Sequence, residues 1–185
     1  MEMLVALGIF AISVGLIADL FLSASRQQAR IVVISRAQTD ARLIIETIAR
    51  ELREGTLDFP RMSADTLALR GAGDEYVQVR RVVAGDATVS CPTGVPSCLA
   101  IGRGAAPDAI VWAPLTSSDV DATAFDFLAT PTVDPTAWDA DAGRYRSDEQ
   151  PRVTIALTLT ATGSRPGSRS TVEAQTTIVS RAYRR

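Results

Sequence analysis

The sequence of 185 residues predicts an α+β fold, in which a long N-terminal helix packs on an antiparallel β-sheet. Three observations support this prediction. The chain opens with an apolar run, a helical amphipathic pattern follows it without a turn signal, and the rest alternates short β-type segments with Gly, Pro and Asp clusters. We expect residues 1–25 to form the apolar half of the helix, 26–56 its amphipathic half, and 57–185 a β-rich globular head.

The apolar run, residues 3–22, is long enough to cross a lipid bilayer. Twenty helical residues rising 1.5 Å each span about 30 Å, the thickness of the hydrocarbon core. The run contains no proline, but Glu2 stands at its start and Asp19 lies near its end. For Asp19 two interpretations remain open: contact with Arg26 or Arg30 of a neighbouring chain, or a position in the headgroup layer.

The second half of the helix is predicted from a stripe of apolar side chains that recur every three or four residues. Charged side chains lie largely off this stripe, and Gly55 followed by Pro60 predicts the end of the helix. The stripe consists of Ile34, Ala37, Ala41, Ile44, Ile48 and Leu52. Such a face requires a folded partner, and we expect the sheet of the head to supply it.

The head is predicted to be mainly antiparallel β-structure. Candidate strands are TLALR, EYVQVRRVV, AIVWA and TAFDFLA, each bounded by turn residues. Near the C-terminus, RVTIALTLTA alternates apolar and polar residues, and STVEAQTTIVSR follows it after the loop GSRPGS, which predicts a hairpin. Residues 131–151 are polar and are interpreted as a long surface loop.

Composition argues against catalysis and against nucleic-acid binding. The net charge is −2 and no domain-scale basic patch occurs, so a nucleic-acid role lacks an electrostatic basis. Histidine is absent, which removes the commonest general base and metal ligand. Asp139 and Asp141 precede Gly143, but this stretch departs from calcium-loop spacing and is interpreted as a solvated acidic loop. We therefore expect no enzyme activity, no cofactor and no metal site.

The two cysteines, Cys91 and Cys98, enclose a short segment rich in proline and glycine. Two cysteines are too few for a cysteine-only zinc site. Their spacing fits a small disulfide-closed loop in an oxidising compartment, and two free thiols are the alternative. With the disulfide, we expect an extracytoplasmic head.

The first residues resemble a known family. The segment EMLVALGIFAI, residues 2–12, is similar to the conserved N-terminal segment of type IV pilins and type II secretion pseudopilins, an apolar string interrupted by one glutamate. The segments ETIARELREG and QTTIVSR resemble, more weakly, J-type minor pseudopilins and related minor pilins. The resemblance implies a pilin-like arrangement of the helix and the sheet.

It also implies a role for Glu2. In filaments of this family the matching glutamate pairs with the N-terminal amine of a neighbouring subunit, while the apolar helices pack side by side. The chain would then be a structural subunit, a minor pseudopilin or minor pilin, of a type IV pilus-like or type II secretion filament. The implied partners are other subunits, the inner membrane before assembly, and a secreted substrate or a surface at the filament tip. The head would lie in the periplasm or at the cell surface.

Two features depart from the family pattern. Family members have four mature residues before the glutamate and, before those, a basic leader ending in glycine, whereas only Met1 precedes Glu2 here. Either the sequence begins late in its reading frame or the chain is an atypical member, so prepilin processing and methylation are not transferred to Met1. Arg26 and Arg30 follow the apolar run, so the positive-inside rule by itself would place the head in the cytoplasm. A basic leader before Glu2 would reverse this, and without one the extracytoplasmic expectation rests on the cysteine pair and the resemblance.

The alternative interpretation is a single-span, membrane-anchored extracytoplasmic β-rich binding module unrelated to filaments. A short basic leader upstream of Glu2 would distinguish the filament subunit from this module. The sequence does not separate major from minor subunits, nor secretion from pilus, DNA-uptake or motility systems.

Overall fold

The N-terminal helix is a single element that passes from the apolar into the amphipathic region without a break. The structure, a computed structural model, describes residues 2–71, 73–147, 149–163 and 168–180, and the side chain of Leu4 is not described. Helix α1 spans Glu2–Glu54, 53 residues. It ends as predicted, where the Gly55 N–H donates to the Glu51 carbonyl at 2.8 Å. A Cβ at Gly55 would collide with the Arg70 carbonyl, so this close approach requires glycine.

The head contains ten strands in its described residues, arranged in antiparallel sheets. A five-stranded sheet has the order β1-β2-β3-β4-β5, a three-stranded sheet the order β10-β9-β6, and β7 pairs with β8. The strands are β1 Thr56–Leu57, β2 Thr66–Arg70, β3 Tyr76–Val83, β4 Ser97–Gly104, β5 Val111–Pro114, β6 Val120–Thr130, β7 Trp138–Asp139, β8 Arg144–Tyr145, β9 Arg152–Thr162 and β10 Arg169–Val179. The α+β prediction, a long helix on an antiparallel sheet, is confirmed.

The amphipathic half of α1 packs mainly on β10 and β9. The buried stripe is Val33, Ala37, Ala41, Ile44, Ile48 and Leu52. Of the predicted positions only Ile34 differs: it is half-buried, and Val33 takes its place. Val33 packs closely on Gly163, the residue after β9, so Val33 is the side chain that faces the sheet at this turn of the helix. Burial of each large side chain in the stripe stabilises the fold by about 1.5–3 kcal/mol.

One core joins α1 to both large sheets. Its side chains come from the helix, from β2, β3 and β4 of the five-stranded sheet, and from β6, β9 and β10 of the other. A smaller cluster of Val82, Val89, Cys98 and Ala100 lies apart from this core, with Trp112 packed against it. Trp112 therefore packs on the five-stranded sheet.

The predicted C-terminal hairpin is confirmed as β9 and β10, paired from Arg169 opposite Thr162 to Val179 opposite Arg152. Along β9, Val153, Ile155, Leu157 and Leu159 are buried, in agreement with the alternation of the sequence. Residues 164–167 of the predicted loop and Arg181 of the predicted strand lie outside the described residues.

Two elements differ from the sequence prediction. Strand β4 was not predicted, because its residues from Ser97 to Gly102 are all buried and show no alternation. The interpretation of 131–151 as an unbroken loop was incomplete, since β7 and β8 pair within it. Trp138 and Tyr145 hold this pair together by an edge-to-face contact, with ring centroids 5.3 Å apart.

Candidate assembly surface

The first 31 residues of α1 form an exposed rod that is apolar over residues 3–22. In the described part of the chain, one helix is long and apolar enough to cross a membrane, and the mean hydropathy of its apolar window is 2.4. No described side chain of residues 2–32 is buried. Twelve large apolar side chains are between 48% and 86% exposed: Met3, Val5, Leu7, Ile9, Phe10, Ile12, Val14, Leu16, Ile17, Leu20, Phe21 and Leu22. A surface of this size requires lipid or protein to cover it.

Both acids of the rod are exposed and lack an ion-pair partner among the described residues. Glu2 lies in the first turn of α1, where the positive end of the helix dipole favours a carboxylate. Asp19 lies 17 residues further along, about 25 Å at the helical rise. Arg26 is seven residues beyond Asp19, about 10 Å along the same helix, so an ion pair between them requires a second chain.

Small residues line one side of the rod at positions that the sequence analysis did not identify. Gly8 and Gly15 are seven residues apart, and Ala11 and Ala18 continue the same stripe. Apart from the helix backbone, no atom lies within 4 Å of a Cβ built at either glycine. The fold of this chain therefore does not require these glycines, whereas small residues at such spacing let a neighbouring helix approach closely. The spacing was the signal available in the sequence.

Polar contacts hold the rod in line with the head just below the first buried residue. Arg36 forms an ion pair with Asp119 at 2.6 Å. Asp40 accepts hydrogen bonds from the main-chain N–H of Ser117 at 2.9 Å and from its hydroxyl at 2.6 Å. Together with the buried stripe, these contacts attach this part of α1 to the segment that precedes β6.

The two cysteines form the predicted disulfide, with Cα atoms 5.6 Å apart. Cys98 lies in β4 and is fully buried, and Cys91 packs beside it against the smaller cluster. The bond fixes the segment between β3 and β4 on the sheet face remote from the helix. Such bonds persist in oxidising compartments.

In the acidic segment around Asp139, the Asp139 carboxylate is hydrogen-bonded within its own turn. The Asp139 carboxylate accepts hydrogen bonds from the N–H groups of Asp141 at 3.1 Å and Ala142 at 3.0 Å. Among the residues that the structure describes, no group of three or more Asp, Glu or Cys side chains is placed to hold a metal ion.

Comparison with models of protein families, with curated proteins and with solved structures finds no match to this chain. Arguments about its function therefore rest on its own residues and their geometry.

Proposed function

We propose that this chain is a non-catalytic structural subunit of a helical filament, a minor pseudopilin or minor pilin of the type IV pilus and type II secretion class. The observation that supports this proposal most is the rod: an acid at residue 2 precedes an apolar run at 3–22 that exposes apolar side chains on every side, and the same helix continues without a break into the head. An anchor alone needs about 20 apolar residues and no fixed link to its head.

The proposal gives Glu2 a partner that the isolated chain lacks. A carboxylate carried into the hydrocarbon core costs about 2.5–3.5 kcal/mol at mid-bilayer, and less near the interface. Pairing with the N-terminal amine of an adjacent subunit would remove much of this cost and fix the axial register of the rods. The stripe of Gly8, Ala11, Gly15 and Ala18 would let those rods approach closely.

In this proposal the chain waits in the inner membrane as a single-pass protein and enters the filament with its neighbours. The Cys91–Cys98 disulfide supports an extracytoplasmic head, because cytosolic thiols are kept reduced. The proposed partners are other pilin or pseudopilin subunits and, for a head at the filament tip, a secreted substrate or a surface.

The test replaces Glu2 in the cells that produce the protein. We expect Glu2→Ala to enter the membrane and form its disulfide normally, but to reach sheared filaments at about one tenth of the wild-type level, because a register contact is lost. Met3→Ala is the matched control, since it shortens the adjacent exposed side chain without removing a charge. Immunoblots of filament and membrane fractions measure the distribution.

Two results would overturn the proposal. One is normal incorporation of Glu2→Ala, which would make Glu2 an interfacial acid of an ordinary anchor. The other is the absence of the wild-type chain from every filament fraction, which would leave the membrane-anchored binding module.

A further inference from the structure

A polar cleft opens between the two large sheets at strand β6. In the three-stranded sheet, β6 is the edge strand opposite β10, the strand on which α1 packs. The volume of the cleft is about 600 Å³. Its walls come from the start of β2, the end of β3 and the first half of β6, and Arg81 and Phe125 both line it. The proposed assembly surface lies on the rod, so this cleft belongs to a different part of the molecule.

Arg81 is fixed in the cleft by neutral oxygens. Its Nε donates to the Ala122 carbonyl at 2.6 Å, and one terminal nitrogen donates to the Ser97 hydroxyl at 3.2 Å. Among the described residues no carboxylate lies within 4 Å of this guanidinium, and the acid behind it, Asp121, is reached only through Ser97. A guanidinium has five N–H donors, so Arg81 presents unused donors at a fixed position.

The wall opposite Arg81 is the free edge of β6. This strand pairs only with β9 in the described sheets. The Thr158 carbonyl accepts from the Thr123 hydroxyl, so the main chain of Thr158 faces β6. Opposed residues of an antiparallel pair alternate between bonded and non-bonded. Phe125 opposes Leu157, the next position, and its N–H and C=O therefore point away from β9 and into the open edge.

Charges mark both ends of this edge. Arg81 lies beside Ala122, and the exposed Asp126 lies four residues along β6, about 10 Å away because the bulge between Ala122 and Ala124 leaves three positions of the partner strand between them. Asp65 adds a second acid to the rim. An extended segment lying along the edge would therefore meet a cation at one end and an anion at the other.

We propose that the cleft binds an extended peptide segment of a partner protein, which adds to β6 as a fourth strand. The segment's main chain pairs with the outward N–H and C=O groups of Phe125 and Phe127, a recognised mode of peptide binding at sheet edges. A carboxylate of the segment binds Arg81, and a basic side chain four residues away lies beside Asp126. This site does not depend on whether the chain enters a filament.

The test uses the purified full chain in detergent micelles and the fluorescently labelled peptide acetyl-TEVTVKT-amide. We expect saturable binding by fluorescence anisotropy. The peptide TQVTVKT should bind about threefold more weakly, because it lacks the carboxylate for Arg81. A version N-methylated on the alternate residues whose N–H groups face β6 should not bind, because it lacks the donors that pair with this strand. Arg81→Gln should bind TEVTVKT and TQVTVKT equally, whereas Arg53→Gln, beside the other edge strand, should match the wild type.

Equal binding of TEVTVKT and TQVTVKT to the wild-type chain would overturn the role of Arg81, and this comparison needs no variant to fold. Undiminished binding of the N-methylated peptide would overturn strand addition. Failure of every peptide to bind would overturn the site. Self-association of the chain that Arg81→Gln abolishes would assign the edge to a second copy and overturn the partner segment.

Discussion

At the scale of single residues, Asp86 shows how a short polar turn stabilises the charged form of an exposed acid. The pKa of Asp86 lies below the ordinary value of an aspartate, chiefly because the Thr88 hydroxyl donates to its carboxylate. The Thr88 N–H donates to the same oxygen at 2.8 Å, and the Arg80 guanidinium lies 3.5 Å from the other. These contacts hold the turn that leads from β3 towards the disulfide loop.

Thr88→Val tests this account because it removes the hydroxyl and keeps the side-chain shape. We expect the pKa of Asp86 to rise towards its ordinary value. A lowered folded-state pKa contributes stability above the unfolded-state pKa, and this contribution is lost as the pH falls through the folded-state pKa. The variant should therefore lose the contribution of Asp86 to stability at a higher pH than the wild type does. Carboxyl NMR titration measures the shift, with Thr93→Val as the control, and an unchanged pKa in Thr88→Val would contradict the assignment.

At the scale of elements, the amphipathic half of α1 has a buried and an exposed face that can be compared directly. Ile48 is fully buried between the helix and the sheets, whereas Leu43 is 52% exposed on the same helix. We expect Ile48→Ala to lower the free energy of unfolding of the head by about 2–5 kcal/mol. Leu43→Ala should change it by no more than about 0.5 kcal/mol. Urea unfolding in micelles, followed by tryptophan fluorescence, measures both, and equal losses would contradict this packing.

The elements also show what the sequence could predict and what it could not. The helix was predictable because a proline-free apolar run leads directly into a stripe with helical period, and the β9–β10 hairpin because β9 alternates apolar and polar residues and a turn-rich loop follows it. Strand β4 lacks a period, since the main core covers one face and the Val82 cluster the other. It also contains Gly102, where a Cβ would collide with Trp112 of β5. In a sequence, glycine indicates a loop more often than the interior of a strand.

The same limit applies to the candidate sites. Glu2 could be proposed as an assembly residue from the sequence because its signal is local: one acid at the start of an apolar string. Arg81 was not, because its acceptor on Ala122 is 41 residues away and only the meeting of two sheets joins them. Sequence spacing alone gives no measure of such long-range polar contacts.

At the scale of the whole molecule, the rod and the head share one helix, but among its described residues the rod contributes no buried side chain to the stability of the head. The buried stripe begins at Val33, and no described side chain before it is buried. The apolar surface of the rod is therefore left for contacts outside the chain, with lipid or with neighbouring rods. The described residues of the rod add no buried side chain to the head. The ion pair of Arg36 with Asp119 lies beyond this boundary, on the part of α1 that packs on the head.

This separation predicts the behaviour of a chain reduced to residues 26–185. It keeps every buried position of the stripe and loses the apolar surface of residues 3–22. We expect it to dissolve without detergent and to unfold in urea with the same free energy as the head of the full chain in micelles, within about 0.5 kcal/mol. The full chain should remain in the membrane pellet until detergent is added. A truncated chain that aggregates, or whose head is weaker by several kcal/mol, would show that the rod does stabilise the head.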